Sequence, residues 1–146
     1  MIKHNWFPPL SPHSLIQEHL FPNEWLILVS CILLNCTSRT QVQKIIHHFV
    51  NDWYTTQLFL HESDTNIKNV IKSLGFVNRR FNRLKSLAQY IINNPTWSDP
   101  YKLPGIGQYG ADAWQIFCNG NIPKHKPKDG SLTLYWEWYN KNAVSF

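Results

Sequence analysis

Cysteine is scarce in this chain. Cys31, Cys36 and Cys118 are its only three, and no two of them share a paired spacing. An odd, sparse set argues against a disulfide framework and for a reducing compartment, and it excludes a four-cysteine metal or cluster site. Long apolar runs are missing too. The longest candidate, residues 25–34, is too short to span a membrane. Residues 1–9 lack the charged-then-apolar pattern of a signal peptide. No internal repeat and no low-complexity segment occurs. Acidic residues are few, nine against fourteen Lys and Arg, for a formal net charge of +5. Together these features predict a soluble, intracellular chain. The positive balance favours an anionic partner, and nucleic acid is the commonest.

What is present suffices for one compact domain. The 146 residues are 43% hydrophobic and 14% aromatic, with seven Trp, enough for a core. Pro8, Pro9 and Pro12 make the first twelve residues an extended arm. Ser11-Pro12 reads as a helix start, with Ser as cap and Pro at the first helical position. That helix runs through Leu15, Ile16, His19 and Leu20 to an interruption at Pro22. Asn23 caps a helix over 24–34 that is apolar almost all round, and therefore buried at the centre. Asn35-Cys36-Thr37-Ser38 is a polar break. Val42, Ile45, Ile46, Phe49 and Val50 recur at helical spacing and predict one helix over 39–53. Ile67, Val70 and Ile71 predict another over 64–73, ended by Gly75. A long helix over 77–94 carries Phe81, Leu84, Leu87, Ala88 and Ile91 on one face. Helices over 107–118 and 131–142 complete the set. No hairpin-turn signal flanks an alternating run, so the fold class is all-α.

One string stands out between two predicted helices: Leu103-Pro104-Gly105-Ile106-Gly107-Gln108-Tyr109-Gly110-Ala111. Gly105 and Gly107 let the chain turn sharply and bring backbone N–H groups to the surface. Gly107 opens the next helix, whose partly positive N-terminus suits a phosphate oxygen. Ile106 is placed to plug the gap between the helices. Gly-x-Gly alone favours a plain helix–helix loop with no ligand, but the longer string is far more specific. Downstream, Pro123-Lys124-His125-Lys126-Pro127-Lys128 leads to Asp129, twenty residues after Tyr109. An Asp before a helix is ordinarily an N-cap, and that position also aims a carboxylate.

The string and its downstream Asp resemble the helix-hairpin-helix DNA glycosylase superfamily. A closer likeness is to the glycosylase domain of the animal methyl-CpG-binding thymine glycosylases. Residues that carry it include Pro8-Pro9, Ser11-Pro12, Leu15-Ile16-Gln17-Glu18, Asn35-x-Thr37-Ser38 and Leu74-Gly75. Gly105-Ile106-Gly107-x-Tyr109-Gly110, Ile116-Phe117-Cys118 and Tyr135-Trp136-x-Trp138 extend it over nearly the whole chain. The resemblance implies a single glycosylase domain over 1–146, with no room for a methyl-CpG-binding domain. It implies an active site in a cleft between helical subdomains, and excision of thymine or uracil from G·T and G·U pairs in double-stranded DNA. Asp129 and Tyr109 are then catalytic, and Gln17 and Tyr109 form the base pocket. DNA contacts fall to Gly105, Ile106, Gly107, Asn35, Cys36, Thr37, Arg39 and Phe76, the last as an apolar wedge. Phe76 also reads as a core side chain after a helix cap, and Gln17 as an ordinary polar residue on a helix face.

Tyr109 stands where strand-cutting relatives carry a Schiff-base Lys, so the resemblance implies a monofunctional enzyme. Cys36 replaces the Arg that helps plug the duplex in the animal family, with Arg39 as the nearby cation. Ser131 replaces a Lys. Arg79, Arg80, Arg83 and Lys85 form a basic run, readable as a solvated face or as phosphate contacts. No two of the seven His lie three or four apart, and no cysteine follows Asp129, so neither metal nor cofactor is expected. A monomer acting on DNA in the nucleus, or in another DNA-containing compartment, is expected, with no membrane partner. Three other readings stay open: a glycosylase of other specificity, such as adenine opposite oxidised guanine; a non-catalytic DNA-binding module; and a plain helical interaction domain, which leaves the hairpin–Asp pairing as coincidence.

Overall fold

The computed structural model describes residues 2–3 and 5–143. Among these, every regular element is helical. The α-helices are α1 (Ile16–Leu20), α2 (Glu24–Leu34), α3 (Arg39–Gln43), α4 (Ile46–Asp52), α5 (Thr56–His61), α6 (Asp64–Ile71), α7 (Val77–Asn93), α8 (Gln108–Phe117) and α9 (Gly130–Asn142). Single 3-10 turns occupy Lys72–Leu74 and Pro100–Lys102. No helix is long and apolar enough to cross a membrane.

Helix α2 is the central post, as its all-round apolar sequence requires. Residues 25–33 are all buried, and Asn23 caps its start by accepting the Leu26 N–H at 2.9 Å. It packs against α1, α8, α7, α3 and α4. Each fully buried aliphatic side chain contributes roughly 1.5–3 kcal/mol, so α2 alone commits much of a marginal folding free energy. Helix α7 carries α5 and α6 on its other side. Aromatics fill two layers. Trp25, Phe49, Trp53 and Phe59 interlock under α2. Tyr135 on α9 meets Phe117 at 4.9 Å between ring centroids and donates its hydroxyl to the Pro9 carbonyl at 2.7 Å, tying α9 to the arm.

Several expectations change. Ser11 does not cap a helix. It accepts the His13 N–H at 3.2 Å in a turn, Ser14 then takes φ +52°, and the helix begins only at Ile16. The buried Glu18 carboxylate explains the delay. It collects the Ser11 N–H (2.5 Å), the Ser11 hydroxyl (2.9 Å) and the Leu15 N–H (2.5 Å), the last a donor that a helix begun at Ser11 would have used internally. The single helix over 39–53 is two helices. At their join, Ile45 bonds Val42 and His48 bonds Ile45, so tight i→i+3 turns interrupt the ladder. Val42, Ile45 and Phe49 reach the core, whereas Val50 is 44% exposed. Helix α5 carries no strong periodic signal because it buries only Thr56 and Phe59. The glycine hairpin follows a 3-10 turn, not a full α-helix: α7 ends at Asn93, and Asp99 caps the turn by accepting the Tyr101 N–H at 3.0 Å.

Candidate active site

A cleft of about 610 Å³ opens between the C-terminal half of α2, Arg83 of α7, residues 105–107 and the first turn of α8. Its construction begins with two glycines. Gly105 has φ +77°, which L-residues resist, and a Cβ there would sit 3.1 Å from the Arg83 Cβ. Gly110 lets the buried Ile106 fold back onto α8, because a Cβ at 110 would approach the Ile106 Cγ2 to 2.8 Å. The Ile106 side chain thus packs back onto α8, and its backbone is left for a ligand. Gly107 caps α8 without any side-chain bond. The first α8 N–H with a backbone partner at this end is that of Ala111, bonded to the Gly107 carbonyl at 3.0 Å. The open amides before it, with the helix dipole behind them, suit an anion.

The side chains at the cleft come from three distant parts of the chain. Gln17 on α1 is 1% exposed. Its Nε2 donates to the Tyr109 hydroxyl at 2.7 Å and lies 3.7 Å from the Cys31 Sγ. Tyr109 therefore accepts from Gln17 and keeps its own O–H to donate. Burial, with the Asp129 charge adding to it, pushes the Tyr109 phenol above its ordinary range. Burial likewise pushes the Cys31 thiol up to about 12. Tyr109 and Cys31 are thus neutral groups at ordinary pH.

Asp129 caps α9, its Oδ2 accepting the Leu132 N–H at 3.0 Å. Among the described residues, Oδ1 has no hydrogen-bond donor. The proline-rich approach to Asp129 is stapled to α9: Trp136 donates to the Pro123 carbonyl (2.7 Å) and Thr133 to the Pro127 carbonyl (2.6 Å). Lys126 pairs with Glu137 at 2.8 Å, while Lys124, His125 and Lys128 are exposed. Asp129 is not among the residues lining the cleft, and its charge adds only a little to the upward push that burial gives Tyr109 and Cys31.

The rim is different. Phe76 is 62% exposed at φ +47°, which excludes the core alternative. Arg79 lies 5.4 Å from its ring. Cys36 is also exposed, at φ +61°, beside an exposed Asn35. The Thr37 hydroxyl turns inward to the Leu33 carbonyl. Arg39 is exposed but donates to the His13 carbonyl at 2.9 Å, so it ties α3 to the arm. The basic run divides. Arg79 is exposed and Arg83 half-buried. Lys85 pairs with Asp64 at 3.2 Å. Arg80 is buried, so the solvated-face reading fails for it. Its register was the available signal: Arg80 lies four before Leu84 and seven before Leu87, on the buried stripe of α7. Cys31, also unassigned from sequence, faces the cleft from the buried post, where an apolar pattern hides it.

No protein-family model matches the chain. A methyl-CpG-binding domain protein 4-like protein of Arabidopsis thaliana is 35% identical over 133 residues, covering 91% of this chain and 30% of that protein. Endonuclease III of Rickettsia prowazekii is 29% identical over 101 residues, 65% of this chain and 48% of that one. A thymine/uracil-DNA glycosylase of Methanothermobacter thermautotrophicus is 32% identical over 100 residues, 64% and 44%. Among solved structures, a thermostable thymine-DNA glycosylase superposes with a TM-score of 0.63 at 29% identity, over 68% of this chain and 49% of that one. The chain thus spans less than half the length of each curated relative named. Hairpin, helical architecture and these likenesses agree, and the chain belongs to the helix-hairpin-helix DNA glycosylase superfamily.

Proposed function

We propose that the chain is a monofunctional DNA glycosylase that removes thymine or uracil mispaired with guanine. The observation that carries this is the 2.7 Å bond between Gln17 and Tyr109, which joins residues 92 apart in sequence beside a hairpin with open backbone amides. A pyrimidine must leave the stack to reach them. The hairpin amides and exposed cations hold phosphates, which position but do not specify. Phe76 fills the vacated space. The Tyr109 hydroxyl, already accepting from Gln17, donates to a pyrimidine carbonyl.

Cleavage of the C1′–N bond leaves its electron pair on the departing base and builds positive charge on the sugar. The Asp129 carboxylate stabilises that charge and orients a water, which adds to C1′ and passes its proton to the carboxylate, and the departing base anion takes up one proton in turn. The products are the free base and an abasic site. Tyr109 offers no amine, so no Schiff base forms and the strand stays intact.

The test is a panel of duplexes carrying G·T, G·U, A·U and oxidised guanine·A, incubated with the protein and then cleaved at abasic sites with alkali. Product from G·T and G·U is expected. Product only from oxidised guanine·A would replace the specificity, and no product on any duplex would replace catalysis with DNA binding. Borohydride should trap no covalent adduct; an adduct would refute the monofunctional claim.

A further inference from the structure

Arg80 is a buried cation that the excision chemistry leaves unused. It is 3% exposed. Its Nη1 donates to the Leu74 carbonyl at 2.8 Å and to the Gly75 carbonyl, and its Nη2 donates to the Asn35 carbonyl. The first two carbonyls belong to the loop that presents Phe76. The third belongs to the loop that presents Cys36, 45 residues away. The guanidinium also lies 5.8 Å from the Phe76 ring. Its Nε is buried without a partner, a cost that stabilising a helix would not require.

The two bridged loops share a second peculiarity. Phe76 and Cys36, both non-glycine and both exposed, hold left-handed backbone conformations. Such conformations persist only where the surroundings over-determine them. Arg80 is the side chain bonded to both loops. A direct phosphate contact is a poor alternative, because both terminal nitrogens are already bonded to carbonyls and the side chain is out of solvent. Exposed Arg79 and half-buried Arg83 are free for that work.

We propose that Arg80 is a positioning residue that locks the 35–37 loop and the 74–76 loop into one unit, so that Phe76 and the Asn35-Cys36 turn enter a duplex together. This rests on the base-excision reading for its consequence, but the coupling itself is measurable without it. Arg80→Lys keeps the charge yet cannot fork to two loops, and Arg80→Ala removes it. Circular dichroism confirms that each variant is folded. Single-turnover excision of uracil from a G·U duplex at saturating protein should fall roughly 30-fold in Arg80→Ala, the order set by one charged hydrogen bond, and less in Arg80→Lys. Affinity for an unmodified duplex, read by anisotropy, should change by less than about threefold, because positioning acts after phosphate binding. Equal losses of rate and affinity would mark a merely structural residue and overturn the proposal.

Cys36 supplies the activity-independent readout. It is the exposed thiol, while Cys31 and Cys118 are buried. Its reaction with an aromatic disulfide reagent should accelerate about tenfold or more in both variants, as the loop it sits on opens locally. An unchanged Cys36 rate in a folded Arg80→Lys protein would overturn the coupling. A wild-type protein that excises nothing would refute the excision reading instead, and the thiol rates would still decide the role of Arg80.

Discussion

The cleft beside Gln17 and the rim around Phe76 are built on opposite plans. Inside, neutral side chains bond to one another under deep burial: Gln17, Tyr109 and Cys31. At the rim, side chains stand exposed and the backbone is constrained. Phe76 and Cys36 protrude on left-handed residues, held from behind by one arginine. The lesson is a division of labour. The interior fixes donors and acceptors where a base would be read. The rim fixes the backbone from which, on the proposed reading, exposed groups would enter a duplex.

Substitutions that strike one region and spare the other can break this division. The largest effect is expected from Asp129→Asn. Asn caps a helix as well as Asp, so the melting temperature should hold, while excision falls roughly 10²–10³-fold for loss of the stabilising charge. A wild-type rate would remove Asp129 from the chemistry. Next comes Gln17→Leu, which strips the Tyr109 hydroxyl of its donor. Excision should fall about 30-fold by the worth of a buried hydrogen bond, with duplex affinity unchanged; a matching loss of affinity would place Gln17 in structure instead. Phe76→Ala should slow excision from a duplex about tenfold, the order set by about 1.4 kcal/mol of the unstacking cost left uncompensated. The smallest effect is a gain. Cys36→Arg adds a cation to the rim and should tighten duplex binding about threefold at low salt, an advantage that fades as salt rises.

Titration separates the regions in another way. Burial raises the folded-state pKa of Cys31 to about 12 from its ordinary 9.0. The folded state therefore holds its proton longer than the unfolded chain does. This contribution is fully present below pH 9.0 and is lost as pH climbs toward 12. The Cys118 thiol and the Tyr109 phenol are raised by burial in the same sense. Melting temperature should fall across this alkaline window, and a flat profile would contradict the neutral interior.

Sequence exposed these regions unequally. Gly105, Gly107, Tyr109 and Asp129 stand out because they lie in strings of narrow meaning at a fixed spacing, whereas Cys31 is hidden in the apolar pattern of α2. The buried post was legible because α2 is apolar all round. The join between α3 and α4 was not, since Val42, Ile45 and Phe49 satisfy one helical period whether or not a turn interrupts it. The late start of α1 was hidden because Ser11-Pro12 is a sound local signal, overridden by a Glu18 carboxylate seven residues away. Arg80 was hidden by chemistry: an arginine among arginines reads as surface until its place on the apolar stripe is counted. Phe76 was ambiguous because exposure after a helix cap depends on a backbone angle that sequence does not print.

One paired measurement tests the division most directly. A G·U duplex carrying 2-aminopurine beside the uracil reports extrusion by fluorescence while excision is followed in the same single-turnover reaction. The account predicts that Asp129→Asn retains the fluorescence rise and loses excision, whereas Phe76→Ala loses most of both. An Asp129→Asn protein that excises at the wild-type rate, or a Phe76→Ala protein that keeps the full fluorescence rise, would contradict it.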